Sequence, residues 1–311
     1  MDFAISGVHL NPLYLAAVGF VVGILGGFFG VGGSFIAGPA LFAVGVPMNF
    51  VVGTDLAHIV GKSIVAAKKH RALGNVDFKL GLIMVIGTIA GVEAGAQIVQ
   101  HLKRLAKADV VIASAFVVVL VAMSVFIGWE SWQTLQMRGG GGAKSGGRRR
   151  AGGVKRDASV IAFVAKAVQA FHLPPMISLP ASGIARVSLW PILAVAVVGG
   201  LFSGFLGGGA GYIRMPTLVY LLGVPTHLAV GTDLFEVVIS AGYGTFTHAL
   251  KGNVDILIAL VMHTGAAIGA QIGATLTEKF HGVGIRLAFA PLPLLGAGLI
   301  IYTLLSRHLI H

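Results

Sequence analysis

Long apolar stretches recur from one end of the chain to the other, and they constrain the fold more than any other feature of the sequence. Of the 311 residues, 56% are hydrophobic and only 11% are charged. A soluble globular domain carries roughly 25% charged residues. The sequence therefore predicts an all-α polytopic membrane protein.

Eight of these stretches are long enough to cross about 30 Å of hydrocarbon as a helix. They are 12–29, 48–69, 79–100, 108–129, 189–206, 226–249, 254–276 and 284–305. Two shorter apolar pieces, 34–46 and 212–223, are too short to cross as straight helices. The sequence predicts a first transmembrane repeat at 1–130 and a second at 189–311. The segment between them, 131–188, is predicted to be a basic Gly-rich linker that contains an interfacial helix (157–173) and a hairpin near Ser182.

Short motifs recur between the two halves at a nearly constant spacing. Three of them share an offset of 178 residues, namely GVP (45–47 and 223–225), GTDL (53–56 and 231–234) and GNVD (74–77 and 252–255). The glycine clusters upstream align at an offset of 177, from Gly27 to Gly204 and from Pro39 to Pro216. This regularity predicts two homologous repeats of about four transmembrane helices each, an arrangement typical of secondary transporters.

Each repeat contains a glycine-rich segment and a proline where a continuous helix is expected. GFFGVGGSFIAGP spans 27–39 and GFLGGGAGYIRMP spans 204–216. In a helix interior, Gly costs about 1 kcal/mol and Pro about 3 kcal/mol relative to Ala. Each repeat is therefore predicted to contain a Gly/Pro-broken helix or re-entrant segment. Irregular backbone at membrane depth is tolerated only where it lines a cavity or is buried in protein.

A broken helix presents free N–H groups that carry about half a positive charge, and glycine lets a ligand approach them closely. The paired breaks therefore predict a site for a small anion between the repeats. The alternative is close helix packing through small residues, which the copies at 91–95 and 269–273 fit better. The predicted substrate-binding residues are Gly30, Gly32, Gly33, Ser34, Gly207, Gly208, Gly209, Tyr212, Arg214, Thr54 and Thr232.

Ionisable residues inside the spans are candidates for function, because charges at membrane depth are costly. The predicted coupling or gating residues are Asp55, His58, Lys62, Glu93, Asp233 and Glu236. The first three share one helical face, and Asp233 and Glu236 occupy the positions equivalent to Asp55 and His58. His58 is a candidate carrier of a coupling proton, with a structural hydrogen bond to Asp55 as the alternative.

Arg214 lies beside the second break, two residues before Pro216. A guanidinium at this place suits a pair of sulfonate or sulfite oxygens. The alternatives are a salt bridge with Asp233 or Glu236, or snorkelling to the interface. No cofactor and no metal site are predicted, because the histidines are scattered, with no i, i+4 pair on a span. His70 and His248 precede the GNVD loops and are expected to stabilise them at the interface.

The segment 138–156 holds 7 of the 22 basic residues. In so apolar a chain it is interpreted as a cytoplasmic linker that obeys the positive-inside rule and contacts anionic lipid headgroups, not as a nucleic-acid-binding arm. With eight spans, both termini would be cytoplasmic and the two halves parallel. If each short segment counts as a crossing, the repeats become inverted instead.

The paired motifs resemble those of the TauE/SafE sulfite exporter family, also called the toluene-sulfonate uptake permease family. The resemblance rests on GGFFGVGGSFIAGPALFAVGVP with VVGTDL, on GFLGGGAGYIRMPTLVYLLGVPTHLAVGTDL, and on both GNVD copies. It implies a secondary transporter of sulfite, sulfonates, sulfoacetate or related anions in a bacterial inner membrane. The sequence departs from the family pattern at Arg214, where an apolar residue is more usual, and at His58 and Lys62, where family members are mostly uncharged; either departure could change substrate choice or ion coupling.

The sequence as a whole predicts an exporter of a small sulfur-containing anion that works by alternating access between two repeats, coupled to a proton or sodium. The alternative is an anion channel or passive pore that uses the same broken helices. An enzyme is not predicted, because the chain has no Cys and no G-x-S-x-G motif.

Overall fold

The computed structural model describes residues 1–30, 33–139, 168, 172–280 and 282–309. This part of the chain is predominantly helical. Its helices are α1 (Pro12–Phe29), α2 (Ser34–Ala43), α3 (Met48–Ala72), α4 (Phe78–Arg104), α5 (Ala108–Gly139), α6 (Leu189–Leu206), α7 (Gly211–Tyr220), α8 (Thr226–Leu250), α9 (Ile256–Leu276), α10 (Gly282–Phe289) and α11 (Leu292–Leu309). Its strands are β1 (Asp2–Phe3), β2 (Val8–His9), β3 (Met176–Leu179) and β4 (Ile184–Ser188).

Seven segments of the described chain are helical, long and apolar enough to cross a membrane. They are α1, α3, α4, α6, the first part of α5 (Ala108–Glu130), Ile256–Lys279 and Leu287–Ser306. They match seven of the eight predicted spans. The eighth, 226–249, folds as α8, a helix of 25 residues that is not among the seven.

The two glycine-rich segments interrupt the helices that contain them. Helix α1 ends at Phe29, Gly30 has a left-handed backbone with φ of 73°, and α2 begins at Ser34. Helix α6 ends at Leu206 and is followed by Gly207–Gly209, all with positive φ, before α7 begins. The predicted short pieces are therefore α2 and α7, of 10 residues each.

Two short hairpins lie outside the long helices. The hairpin predicted near Ser182 is present, with β3 antiparallel to β4 and Met176 opposite Ser188. A second hairpin, β1–β2 at the N-terminus, was not predicted. The predicted basic run and interfacial helix lie, apart from a few residues, outside the described part of the chain, and α5 continues past residue 130 to Gly139.

Each hairpin is bonded to one of the GNVD loops. The Ser182 hydroxyl donates to Asp77 Oδ2 (2.6 Å), and the Ser6 hydroxyl donates to Asp255 Oδ2 (2.7 Å). The same two carboxylates cap helices, because Asp77 accepts from the Leu80 N–H and Asp255 from the Leu257 N–H. The aspartates therefore join each hairpin to the start of the helix that follows the loop.

The central helices α3 and α8 contact the same two loops reciprocally. The Asp255 N–H donates to the Thr54 hydroxyl (2.9 Å), and the Asp77 N–H donates to the Thr232 hydroxyl (2.8 Å). A Cβ added to Gly53 would lie 2.2 Å from the Asn253 carbonyl oxygen. Thr54 and Thr232, predicted to bind substrate, are thus used to hold loops against helices from the other half.

Two helix pairs pack side by side in parallel through small residues. Along α1, Gly19 and Gly23 lie against Met262 and Ala266 of α9, in the same order. Helix α4 packs in the same way on α6, with Gly91 against Val197 and Gly95 against Leu201. Hence α1 and α9 start at one end of the bundle, and α4 and α6 start together.

These two ends lie on opposite sides of the bundle. Helix α3 begins beside the loop before α9, where Asn49 donates to Asn253 (3.1 Å), and it ends beside the start of α4. Its 25 residues span about 37 Å. Helices α1 and α6, which open the two halves, therefore run in opposite directions.

The expectation of parallel halves, with the N-terminus on the side of the basic linker, is wrong. The short helix α2 returns the chain toward the start of α1, where the Tyr14 hydroxyl donates to the Ala40 carbonyl (3.1 Å). Helix α5 starts at this same end, because Asp109 accepts from the Met48 N–H (2.7 Å). The 32 residues of α5 then carry the chain to the opposite end, where the linker begins.

Substituting alanine for Gly231, which contacts the loop of the opposite half, tests the contact between the halves. Gly231→Ala places a Cβ 2.0 Å from the Asn75 carbonyl oxygen, so we expect a loss of about 1–3 kcal/mol of stability in detergent. Gly242→Ala on the same helix is the matched control, because nothing lies within 4 Å of its Cβ. It should be neutral or raise the melting temperature. Equal melting temperatures for the two variants would contradict the packing described.

Single cysteines test the direction of the chain, because the protein contains none. Lys107→Cys lies in the exposed loop between α4 and α5, and Arg186→Cys lies exposed on β4. In sealed vesicles, a membrane-impermeant maleimide should label these two positions from opposite sides. Labelling of both from the same side would refute the arrangement.

Candidate functional site

The glycines of the two breaks lie in close contact with the opposite half. A Cβ on Gly30 would lie 2.6 Å from Val230, and a Cβ on Gly207 would lie 2.9 Å from the Val52 carbonyl oxygen. Because Val52 and Val230 are separated by the same 178 residues as the repeated motifs, the two contacts are reciprocal. The two breaks are therefore packed against the opposite half at these positions.

The remaining break glycines are equally crowded. A Cβ on Gly33 would lie 2.5 Å from the Val22 carbonyl oxygen, and one on Gly209 would lie 3.1 Å from Val237. Gly32 lies outside the described residues. In this conformation Gly30, Gly33 and Gly207 bring backbone segments close together.

The two breaks meet beside Gly208. A Cβ added there would lie 1.6 Å from Ser34 Oγ and 3.0 Å from Asp55 Oδ2. Ser34 belongs to the first break, Gly208 to the second, and Asp55 to α3. The absence of a side chain at Gly208 therefore lets a hydroxyl and a carboxylate from the first half converge on the second break.

Several buried polar atoms near this meeting point have no hydrogen-bond partner within the described residues. They are Ser34 Oγ, Asp55 Oδ2, His58 Nε2 and Tyr212 Oη. Ser34, His58 and Tyr212 have no exposed surface, and Asp55 is 1% exposed. Roughly 90% or more of buried polar groups are paired in folded proteins. These atoms mark a place where a bound solute or water would complete the hydrogen bonding.

A first cluster of ionisable side chains extends along α3 from this point. His58 Nδ1 lies 3.4 Å from Asp55 Oδ1, and Lys62 Nζ lies 3.5 Å from His58 Nδ1. His263 of α9 packs its ring against Gly61, beside Lys62. The predicted shared face of Asp55, His58 and Lys62 is confirmed, and the cluster contains one carboxylate and one ammonium group.

A second cluster joins the second break to α8. Arg214 Nε donates to Asp233 Oδ1 (2.8 Å), and Arg214 Nη1 lies 2.6 Å from Glu236 Oε2. All three side chains have no exposed surface. Of the interpretations left open for Arg214, the salt bridge is the one observed, because a buried guanidinium requires opposite charges close to it. Gly199 provides the space, since its Cβ would lie 2.3 Å from Arg214 Cγ.

Glu93 does not join either cluster. On α4 it accepts from the Thr247 hydroxyl (2.7 Å) and forms an ion pair with Lys251 (3.1 Å), and its side chain is 34% exposed. None of its hydrogen-bond partners belongs to the two clusters. Glu93 therefore makes a contact between α4 and α8, and its coupling role stays a prediction.

His70 and His248 hold the helix ends that precede the breaks. His70 Nε2 donates to the Gly27 carbonyl (3.1 Å), and His248 Nε2 donates to the Gly204 carbonyl (2.9 Å). Both side chains are buried within the protein, and their place at the membrane interface stays a prediction. The sequence signal that could have revealed this shared role is the matching position of the two histidines in the two halves. Among the described residues, no group of three or more His, Cys, Asp or Glu side chains is placed to hold a metal ion.

Comparison with known proteins identifies the family. The sequence model of the sulfite exporter TauE/SafE family matches residues 15–300, which is nearly the whole chain. The chain belongs to the TauE/SafE family. This TauE/SafE protein is an integral membrane transporter, as its seven apolar helices and its relatives indicate.

Several relatives of this TauE/SafE protein are named probable membrane transporter proteins. YunE of Bacillus subtilis is 23% identical over 280 residues, covering 88% of this chain and 90% of its own length. YdhB of the same organism is 23% identical over 295 residues, covering 93% and 100%. No solved structure matches the chain.

Removal of the buried guanidinium tests the second cluster. Arg214→Met leaves Asp233 and Glu236 buried without a counter-charge, so we expect a loss of about 3–5 kcal/mol of stability. Combining it with Asp233→Asn and Glu236→Gln should restore most of this loss. The exposed Arg186→Met serves as control, with little effect on thermal unfolding in detergent. An Arg214→Met variant as stable as the control would contradict the ion cluster.

Proposed function

We propose that this TauE/SafE protein is a secondary transporter that exports a small sulfur-containing anion, such as sulfite, a sulfonate or sulfoacetate, across the bacterial inner membrane. The family match supports this substrate class, because the family model is that of a sulfite exporter. The observation that carries the proposal is the convergence of buried, unpaired polar groups where the two helix breaks meet.

The two halves act as inverted repeats around this point. Their shared motifs, the reciprocal bonds of Thr54 and Thr232, and the opposite directions of α1 and α6 support this arrangement. Helix α8 then serves as the eighth span, since its 25 residues reach about 37 Å. Its polar side chains Asp233 and Glu236 are turned into the protein, where they pair with Arg214.

The substrate anion is bound between the breaks by hydroxyl and amide donors. Ser34 Oγ and Tyr212 Oη are buried donors without partners in the closed conformation. They stand at the starts of α2 and α7, where free N–H groups favour negative charge. Lys62 supplies a positive charge to the same cluster of side chains, and it offsets the repulsion between the anion and Asp55.

Alternating access opens this place to one side of the membrane at a time. The close contacts of Gly30, Gly207 and Gly208 close the breaks in the present conformation. An anion therefore reaches Ser34 and Tyr212 only after the breaks move apart. These contacts favour a transporter over a passive pore, because a pore requires a continuous open path.

A thermal-shift screen tests the anion site. Sulfite, thiosulfate, sulfoacetate, taurine and sulfate are added to the purified protein, and a bound anion raises the melting temperature by mass action. Tyr212→Phe and Ser34→Ala each remove one donor to a charged solute, so we expect about 10- to 100-fold weaker binding, or 1.5–3 kcal/mol. Tyr220→Phe is the matched control, because its buried hydroxyl bonds Glu130 instead.

The transport assay uses the same variants in liposomes. Flux of the anion that binds should saturate with concentration, with a higher half-saturating concentration in Tyr212→Phe than in Tyr220→Phe. Flux that does not saturate would support the passive pore instead. If none of the anions shifts the melting temperature of the wild type, the proposed substrate class is wrong.

A further inference from the structure

We propose that the cluster of Arg214, Asp233 and Glu236 is a proton-binding site, in which the two carboxylates share one proton that is the ion coupled to anion movement. The coupling part rests on the proposed function, whereas the proton site itself does not. The charge, burial and packing of the cluster support the proton site.

The charges of the cluster do not cancel. One guanidinium faces two carboxylates, so the ionised cluster carries a net charge of −1. Within the described residues, the ion pairs of Asp233 and Glu236 are both with Arg214. Ser240 of α8 donates to Glu236 Oε2 (3.3 Å) but is neutral. Lys62 and His58 belong to the cluster around Asp55.

The excess charge lies where no solvent reaches it. All three side chains have no exposed surface, and an uncompensated ion in such a place costs several kcal/mol. Two carboxylates that share one site relieve this cost when one of them binds a proton. Asp233 Oδ2 and Glu236 Oε1 are the oxygens available for it, because neither has a hydrogen-bond partner within the described residues.

The packing favours a proton over a metal cation. Arg214 already lies against both carboxylates, at 2.8 Å from Asp233 and 2.6 Å from Glu236. A sodium ion would be repelled by the guanidinium and would need several further oxygen ligands. Gly199 leaves little space beside the guanidinium, since a Cβ there would lie 2.3 Å from Arg214 Cγ. A proton requires no additional volume.

The equivalent cluster in the first half has no such excess. Asp55 stands in the place of Asp233, His58 replaces Glu236, and Ala37 aligns with Arg214 at the offset of 177. There, the single carboxylate is balanced by Lys62 when His58 is neutral. The asymmetry assigns the proton to the second half.

The position of Arg214 connects the proton to the break. Arg214 lies on α7, which starts directly after the second break, whereas both carboxylates lie on α8. A proton on the carboxylates weakens the attraction between these helices, and its loss strengthens it. The protonation state therefore biases how firmly the second break is held in the closed conformation.

Ligand-free unfolding tests the proton site. As the pH is raised, the wild type loses the shared proton, its cluster regains the net negative charge, and its melting temperature should fall. Glu236→Gln keeps the shape and removes the excess charge, so its melting temperature should fall less over the same range. Glu130→Gln removes another buried carboxylate, on α5, and should follow the wild type. Parallel curves for the wild type and Glu236→Gln would overturn the site, and Asp233→Asn provides the second variant if Glu236→Gln does not fold.

Transport tests the coupling, with the anion that binds best in the thermal-shift screen. In liposomes, a pH gradient should drive accumulation by the wild type and by Glu130→Gln, with at least a tenfold loss in Glu236→Gln. Anion exchange without a gradient should persist in Glu236→Gln. Accumulation driven by a sodium gradient, or full pH-driven accumulation in Glu236→Gln, would overturn the coupling. A wild type that binds no anion refutes the proposed function alone, since the unfolding curves still decide the proton site.

Discussion

Close approach of backbones through glycine is the interaction on which this structure depends. Helices in a lipid bilayer gain little from burying apolar side chains, because lipid is as apolar as the interior. Packing at short range must therefore hold the bundle together. Gly53 and Gly231 supply it near the starts of α3 and α8, where each helix lies against the carbonyl of an asparagine in the opposite loop. The loop bonds of Thr54 and Thr232 can form only at that separation.

The same close packing explains why charges occur so deep in the protein. Arg214, Asp233 and Glu236 are held by α7 and α8, two elements fixed by their neighbours, so the ion pairs keep short distances without water. The first half places Asp55, His58 and Lys62 in an equivalent frame with different chemistry. The two halves thus carry different ionisable groups at equivalent positions of the sequence.

Much of this arrangement could be predicted from residue patterns. Glycine and proline in an apolar context predict an interruption wherever they occur, so the ends of α1 and α6 followed from local cost alone. The shared face of Asp55, His58 and Lys62 followed from helical geometry. The direction of the halves could not be predicted in this way, because hydropathy does not reveal whether a ten-residue helix such as α2 returns the chain or continues across.

Other features depended on contacts between residues far apart in the chain. The pairing of Arg214 required knowing which face of α8 meets α7, and the sequence left a salt bridge and an anion site equally consistent with its position. The N-terminal hairpin has strands of only two residues, too short for an alternating pattern. It is stabilised by Asp255, which lies 249 residues after Ser6 in the chain. The partners of Glu93 could not be predicted, because depth in a span does not reveal that Thr247 and Lys251 lie beside it.

The pairing of α1 with α9 has a consequence for biosynthesis. The ribosome delivers α1 first, but the surface that covers Gly19, Gly23 and Gly27 is made only when the ninth helix emerges. Until then the nascent chain holds a helix with an uncovered small-residue stripe in the bilayer. A chain truncated after the first half would keep this stripe open to lipid or to foreign helices, and so become a substrate for membrane quality-control proteases.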